Sequence, residues 1–212
     1  MIRTIDLFAG IGGVRIGFES AGFHTVFAND FEQKCKYTYD LNFENTPLTV
    51  EDIRKIKIES LPYFDFLLGG FPCQPFSVAG YRHGFKDKKG RGNLFFDIVR
   101  IIEERQPIGF LLENVKNLEN HDNGRTLRVI TETLDSIGYD VSAEVLNTMD
   151  FGNLPQNRER IYIIGFRKDT SFMQNFVFPN RIKRTLDVKD ILESPKDIDQ
   201  KYYYDDKPLF QN

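Results

Sequence analysis

Asp6-Leu7-Phe8-Ala9-Gly10-Ile11-Gly12-Gly13 is the stretch on which the fold turns. Ile2 to Phe8 reads as a buried strand, and the glycines lead from it into an amphipathic segment that runs through Ala21 and stops at Gly22. Strand, glycine turn and helix in that order bring a ligand close to the backbone N–H groups at the positive end of the helix. The same glycines would also serve a tight turn whose only business is packing, so this feature alone leaves both readings open.

Working outward, Thr25 to Ala28 makes a second strand ending at Asn29-Asp30, and Phe31 to Leu41 reads as the helix after it, which gives a right-handed βαβ unit. An acid at the end of that second strand can hydrogen-bond the ribose hydroxyls of an adenosine cofactor, although Asp30 could equally be a helix N-cap. A weak strand follows at Leu48 to Val50, with Asp52 just beyond it, positioned either to contact an adenine or to face solvent. Strands at Asp65 to Leu68 and Ile108 to Leu112 alternate with helices at Leu94 to Glu104 and Thr126 to Ser136. Ser142 to Asn147 and Arg160 to Phe166 then alternate like an antiparallel pair. The pattern predicts an α/β fold, a doubly wound mainly parallel sheet with a C-terminal antiparallel strand pair. Beyond Arg167 the pattern loosens, with one short helix at Val188 to Glu193, so the chain is divided into a domain over 1–170 and a tail over 171–212.

Composition agrees with this outline. At 212 residues, with 41% hydrophobic and 28% charged residues, the chain can bury a substantial core and is neither disordered nor fibrous in character. No apolar run approaches the roughly 20 residues that span a bilayer, and the first residues carry no signal-peptide pattern, so the expectation is a cytoplasmic protein without membrane partners. Cys35 and Cys73 form no metal-spaced cluster, so neither a zinc site nor a disulfide framework is expected, and a free reactive thiol stays open. A net charge of −3 does not announce a nucleic-acid binder. Its distribution does more: between Tyr81 and Asn93 the chain gathers Arg82, His83, Lys86, Lys88, Lys89 and Arg91 against the single acid Asp87.

Gly70-Phe71-Pro72-Cys73-Gln74-Pro75-Phe76-Ser77 is the segment with the most chemistry. Its cysteine follows a strand and stands between two prolines that stiffen the turn, which presents the thiol; a lone cysteine can also be an inert buried residue. Two further groups join it. Glu113-Asn114-Val115 is expected just past a neighbouring strand end, and Gln156-Asn157-Arg158-Glu159-Arg160 offers two arginines on one face of a forthcoming strand. Taken singly these are ordinary salt-bridge or sheet-edge charges.

Five motifs in order, Asp6 to Gly13, Gly70 to Ser77, Arg91 to Phe96, Glu113 to Val115 and Gln156 to Arg160, make the chain resemble the DNA cytosine-5-methyltransferases of bacterial restriction-modification systems, from its first residues to about Arg167. The resemblance implies a Rossmann-like methyltransferase fold that binds S-adenosyl-L-methionine. It implies that Phe8 stacks on the adenine, Asp30 holds the ribose, Asp52 contacts the adenine amino group, and Pro72 and Leu94 line the cofactor channel. Ala9, Gly10, Gly12, Gly13, Phe31 and Ile53 belong to the same cofactor set. By the same resemblance Cys73 attacks C6 of a cytosine flipped out of duplex DNA, Glu113 binds and protonates N3, and Arg158 and Arg160 bind the base's carbonyl oxygen. Gln74, Ser77, Arg82, Lys88, Lys89 and Arg91 form a DNA-binding loop. Members of the family continue through a target-recognition domain and two further motifs that do not occur in this sequence. The implied partner beside double-stranded DNA is therefore a second polypeptide, or the remainder of a longer chain, that supplies them.

Three other readings compete. A non-catalytic DNA- or partner-binding subunit could keep the fold, but joint retention of Cys73, Glu113 and Arg160 speaks against it. The glycine loop and Asp30 also suit a nucleotide-dependent oxidoreductase, which the cysteine and arginine motifs do not. An RNA cytosine-5-methyltransferase shares the catalytic core.

Overall fold

The computed structural model describes residues 1–72, 94–194, 196 and 198–202. Among these residues one sheet holds seven strands, β1 (Arg3–Leu7), β2 (His24–Asp30), β3 (Thr49–Val50), β4 (Phe66–Gly69), β5 (Gly109–Val115), β6 (Tyr139–Asn147) and β7 (Glu159–Arg167). Their order across the sheet is β3-β2-β1-β4-β5-β7-β6. β1 to β5 pair in parallel, and β7 enters antiparallel to β5. Lys168, just past the end of β7, donates its backbone N–H to Gly138, just before β6, so that outer pair is antiparallel too. The expected doubly wound, mainly parallel sheet with an antiparallel pair at its end is what forms.

Four helices cover the sheet: α1 (Gly13–Ser20), α2 (Gln33–Asn42), α3 (Leu94–Arg105) and α4 (Arg125–Ser136). Successive strand residues point to opposite faces. Ile5, Leu7, Leu67, Phe110, Leu112, Ile161 and Ile163 accordingly pack with Phe95, Ile98 and Ile102 of α3 and with Ile130 and Leu134 of α4. The other face buries Ala28 with Tyr39 and Phe43 of α2, and Phe66, Leu68 and Ile164 against Val14 and Phe18 of α1. Order along the sheet reverses between β1 and β4, since β2 and β3 lie on one side of β1 and β4 on the other. In such sheets ligands bind in the crevice at the carboxyl ends of the strands flanking the reversal. Those ends carry Phe8 to Gly13 and Gly70 to Pro72.

Some boundaries differ from the sequence expectation for identifiable reasons. α2 starts at Gln33 rather than Phe31, because the Glu32 side chain caps it by accepting from Lys34 N and Asp30 Oδ1 accepts from Glu32 N. Phe31 is left outside the helix and 70% exposed. β5 runs to Val115 instead of stopping at Leu112, because β7 pairs with Glu113, Asn114 and Val115. The acidic motif therefore lies within a strand. β6 begins earlier than expected, at Tyr139, a fully buried side chain whose hydroxyl donates to Pro107 O at 2.7 Å.

By their contacts the residues group into two compact units, Met1–Leu146 with Glu159–Phe178, and Asn147–Arg158 with Pro179–Asn212. The first holds the sheet and α1 to α4. In the second, Ile182 N donates to Asp150 O at 2.8 Å, and Asn153 clasps Thr185 by accepting from its N–H at 2.8 Å and donating to its hydroxyl at 3.0 Å. A one-turn helix at Val188–Ile191 is held by a capping box between Asp187 and Asp190. None of the helices described is long and apolar enough to cross a membrane.

Candidate active site

At the end of β1 the chain turns through left-handed backbone at Phe8 (φ 56°), Gly10 (φ 56°) and Gly12 (φ 90°). A non-glycine residue there is strained by about 1 kcal/mol or more, which surrounding bonds must offset. Ala9 N donates to Asn29 O at 3.0 Å, Gly12 N to Ala9 O at 2.8 Å, and Gly10 N to Asp30 Oδ2 at 2.9 Å. A side chain at Gly12 is excluded, since a Cβ would lie 2.2 Å from the Phe43 ring. At Gly10 and Gly13 a Cβ would meet nothing within 4 Å, so the turn presents bare backbone to open space.

Around this turn stand the acids expected for a nucleoside. Asp30 is 9% exposed, with its two oxygens accepting from Gly10 N and Glu32 N, and a carboxylate so placed keeps lone pairs for two hydroxyls. The neighbouring Phe31 ring is open to solvent. Glu51 N donates to Asp30 O at 3.0 Å, which ties β3 and the following Asp52 to the same sheet edge. Asp52 caps the turn Ile53–Lys55 and is gripped by the Arg54 guanidinium, whose hydrogen bond holds its carboxyl down at about 2. Ile53 is buried beneath it, Leu94 is half-buried at the head of α3, and Pro72 is exposed.

Below the turn lies a buried charge that the sequence reading did not single out. Asp6 is 1% exposed, and among the described residues its Oδ2 has no hydrogen-bond partner. Burial pushes its carboxyl up to about 7 against the lowering pull of Arg15, with Asp30 and Glu19 adding to the rise. Arg15 is itself buried, bonded to Glu19 at 2.8 Å and to the Tyr39 hydroxyl at 3.0 Å. A folded-state value above the ordinary one of 3.8 means that the group's stability contribution is complete below about pH 4 and is lost as pH rises through about 7. Asp6→Asn is therefore expected to raise Tm more at pH 8 than at pH 5 in the cofactor-free protein. Thermal scans showing an equal shift at both pH values would contradict the assignment.

Across the reversal, Glu113 and Arg160 form an ion pair, Oε1 to Nε at 2.9 Å, with side chains 22% and 21% exposed. The antiparallel register sets Val115 opposite Arg160 and Glu113 opposite Tyr162, so the pair is diagonal on one face. A Cβ at Gly70 would lie 3.6 Å from Glu113 Oε2 and 3.9 Å from Phe8 O. Glycine at the exit of β4 thus lets the acid, the glycine turn and the start of the cysteine segment converge. Behind them Asn114, 2% exposed, donates from Nδ2 to Phe71 O at 2.9 Å. Nothing in the sequence marks this side chain, since its partner lies 43 residues away.

Arg158 is a correction. It was expected on the same strand face as Arg160, but β7 begins at Glu159, and Arg158 belongs to the second unit. Its backbone N–H is taken by Gln156 O at 3.0 Å and Asn147 Oδ1 at 3.1 Å, and its carbonyl by Thr148 N, so its backbone closes a turn instead of entering the sheet. Cys73, Gln74, Ser77, Arg82, Lys88, Lys89 and Arg91 lie outside the described residues.

A family model described as C-5 cytosine-specific DNA methylase matches residues 2–211. The chain is 50% identical to the Type II methyltransferase M.Bsp6I of Bacillus sp. over 99% of its own length and 66% of that protein's. Against M.NgoBI of Neisseria gonorrhoeae the identity is 47%, over 97% of this chain and 62% of the relative. It thus spans slightly less than two thirds of either. A solved structure of a DNMT2 mutant from Spodoptera frugiperda superposes with a TM-score of 0.66 at 25% identity, covering 81% of this chain and 51% of that one.

Proposed function

Because the chain belongs to the C-5 cytosine-specific DNA methylase family, we propose that it transfers a methyl group from S-adenosyl-L-methionine to C5 of a cytosine in duplex DNA, as the modification half of a restriction-modification system. The observation that carries this reading is the convergence of the Glu113–Arg160 pair, Gly70 and the Phe8 turn at the sheet's reversal point. The residues present suit the cofactor. Open backbone at Gly10 and Gly13 suits the amino-acid end, Asp30 has lone pairs for the ribose diol, and the exposed Phe31 and the Phe8 that opens the glycine turn are the rings assigned to a flat purine. Asp52 can accept from the adenine amino group with the oxygen capacity that Arg54 leaves. When bound, the sulfonium supplies an electrophilic methyl group.

The chain's own residues make cytosine C5 able to take that methyl. The Cys73 thiolate adds to C6, forming an S–C6 bond and moving the C5–C6 π pair toward C5. A proton from Glu113 at N3 offsets the charge that develops, and Arg160 steadies the carbonyl oxygen. After transfer, loss of the C5 proton expels Cys73 and restores the double bond. None of this is possible inside a base stack, so the target must be flipped out. The basic stretch from Arg82 to Arg91 suits phosphate contact, and, as the family resemblance implies, sequence readout falls to a further segment on the same chain or on a second polypeptide. Such a protein works in the cytoplasm, where the DNA is.

The test is a transfer assay on the full-length protein with labelled cofactor and duplex DNA, in which the label is expected in 5-methylcytosine. Asp30→Ala should weaken cofactor binding about tenfold by calorimetry, the worth of a charge-assisted hydrogen bond. Label found on another base, or accepted only by RNA, would overturn the reading, and unchanged affinity would remove Asp30 from the cofactor set.

A further inference from the structure

We infer that Arg54 is a positioning residue, which by holding the Asp52 carboxylate in one orientation sets the cofactor site's preference for a purine with a 6-amino group; this rests on the assignment of Asp52 to the adenine. The approach to Asp52 is fixed by backbone. Asn29 Nδ2 donates to Glu51 O at 2.8 Å and to Thr49 O at 3.0 Å, and Glu51 N donates to Asp30 O at 3.0 Å, so the peptide before Asp52 is pinned to the end of β2, beside the acid assigned to the ribose. Beyond it the turn Ile53–Lys55 is anchored to α3 by Arg100, whose Nη2 donates to Ile53 O at 3.1 Å and whose Nη1 donates to Ile56 O at 3.3 Å. What these bonds leave free is rotation of the Asp52 side chain, and Arg54 removes it. Oδ1 accepts from Arg54 N at 3.0 Å and from Nε at 2.9 Å, while Oδ2 accepts from the same Nε at 3.0 Å and from Nη2. A guanidinium fork matched to both oxygens fixes the plane of the carboxylate, which a capping bond to one oxygen does not. An ionised carboxylate has about four lone-pair sites, so these three N–H groups leave roughly one for a further donor. The amine of adenine is such a donor, and a purine without it offers none. Exposed ion pairs contribute little to stability, and Arg54 is 61% exposed, so its effect lies in the aim it gives to Asp52.

A guanidinium that merely stabilised the turn would, when removed, weaken every cofactor alike, whereas one that aims Asp52 acts only through the amine. The experiment measures by calorimetry the affinity of the full-length protein for S-adenosyl-L-methionine and for its 6-deamino counterpart, in which unsubstituted purine replaces adenine. Wild type is expected to prefer the amino form by about tenfold, the worth of a charge-assisted hydrogen bond. Arg54→Met, which keeps much of the side chain's length without its donors, should lose about three- to tenfold in affinity for the amino form, because a side chain left free must be ordered on binding. The same variant should bind the 6-deamino form as wild type does, so the preference narrows. Arg54→Lys should narrow it nearly as much, since an ammonium is a point charge that cannot fork across both oxygens. Equal weakening of the two cofactors in Arg54→Met, an unchanged preference, or failure of both variants to fold would overturn the proposal while leaving Asp52 with the adenine. Wild type binding the two forms equally would overturn it together with the assignment of Asp52.

Discussion

Cys73→Ser in the full-length protein is expected to abolish methyl transfer, lowering kcat by more than about a thousandfold, while cofactor affinity stays nearly unchanged. The expectation comes from the chemistry of the target. Cytosine C5 carries too little electron density to attack a methyl group until a nucleophile adds at C6, and an un-ionised serine hydroxyl is a far poorer nucleophile than a thiolate. Gly70, Phe71 and Pro72 lead the chain away from the carboxyl end of β4, and Cys73 is the next residue in sequence. The other cysteine provides an internal control. Cys35 lies on α2, where burial pushes its thiol up and the nearby Asp30 and Glu32 push it further, so it stays protonated. Intact-mass measurement and peptide mapping of the 5-fluorocytosine adduct should locate the bond at Cys73. An adduct at Cys35, or substantial turnover by the serine variant, would remove Cys73 from the mechanism.

Features that depend on local pattern were readable from the sequence. The strand, glycine turn and helix at Asp6 to Gly22 require only hydrophobic periodicity and residues that tolerate left-handed backbone, and both are written in the chain. The alternation of strands and helices beyond it was enough to give the sheet and its reversal. Features that depend on distant partners were not readable. β5 extends through Glu113 because β7 supplies hydrogen bonds to it, and the same pairing places Arg160 beside the acid. Arg158, two residues away, reads in sequence as its equal, yet Asn147 and Gln156 capture its backbone N–H before β7 begins. Asn114 illustrates the point most plainly: inside a Glu-Asn-Val triplet it carries no sign that its amide will meet Phe71 O. Asp6 is similar, since an acid at an inward strand position becomes unusual only when α1 and Arg15 close over it.

The second large effect concerns the Glu113–Arg160 pair. Glu113→Gln is expected to lower kcat about a hundredfold or more, because a carboxamide cannot deliver a proton to N3 as sulfur adds to C6. Some stability should be lost as well, because only about one fifth of each side chain is exposed and removing one charge leaves the Arg160 guanidinium largely buried without its counter-charge. A slowing of catalysis that merely tracked the loss of Tm would therefore mean a structural role in place of a catalytic one. Arg160 works through geometry as well as charge: its Nε meets Glu113 Oε1 while Nη1 donates to Glu159 O at 2.8 Å, which clamps the guanidinium plane. An ammonium has no donor set at those two angles, so Arg160→Lys should restore little of the activity lost in Arg160→Ala. Because each residue holds the other, the double variant Glu113→Gln with Arg160→Ala should lose less than the product of the two single losses, the signature of groups acting as a unit. Adduct trapping on 5-fluorocytosine DNA isolates the step in which both act. Losses that multiplied independently would show that the ion pair is a resting contact broken before the base arrives, and Glu113→Gln trapping at the wild-type rate would show that the proton at N3 comes from somewhere else.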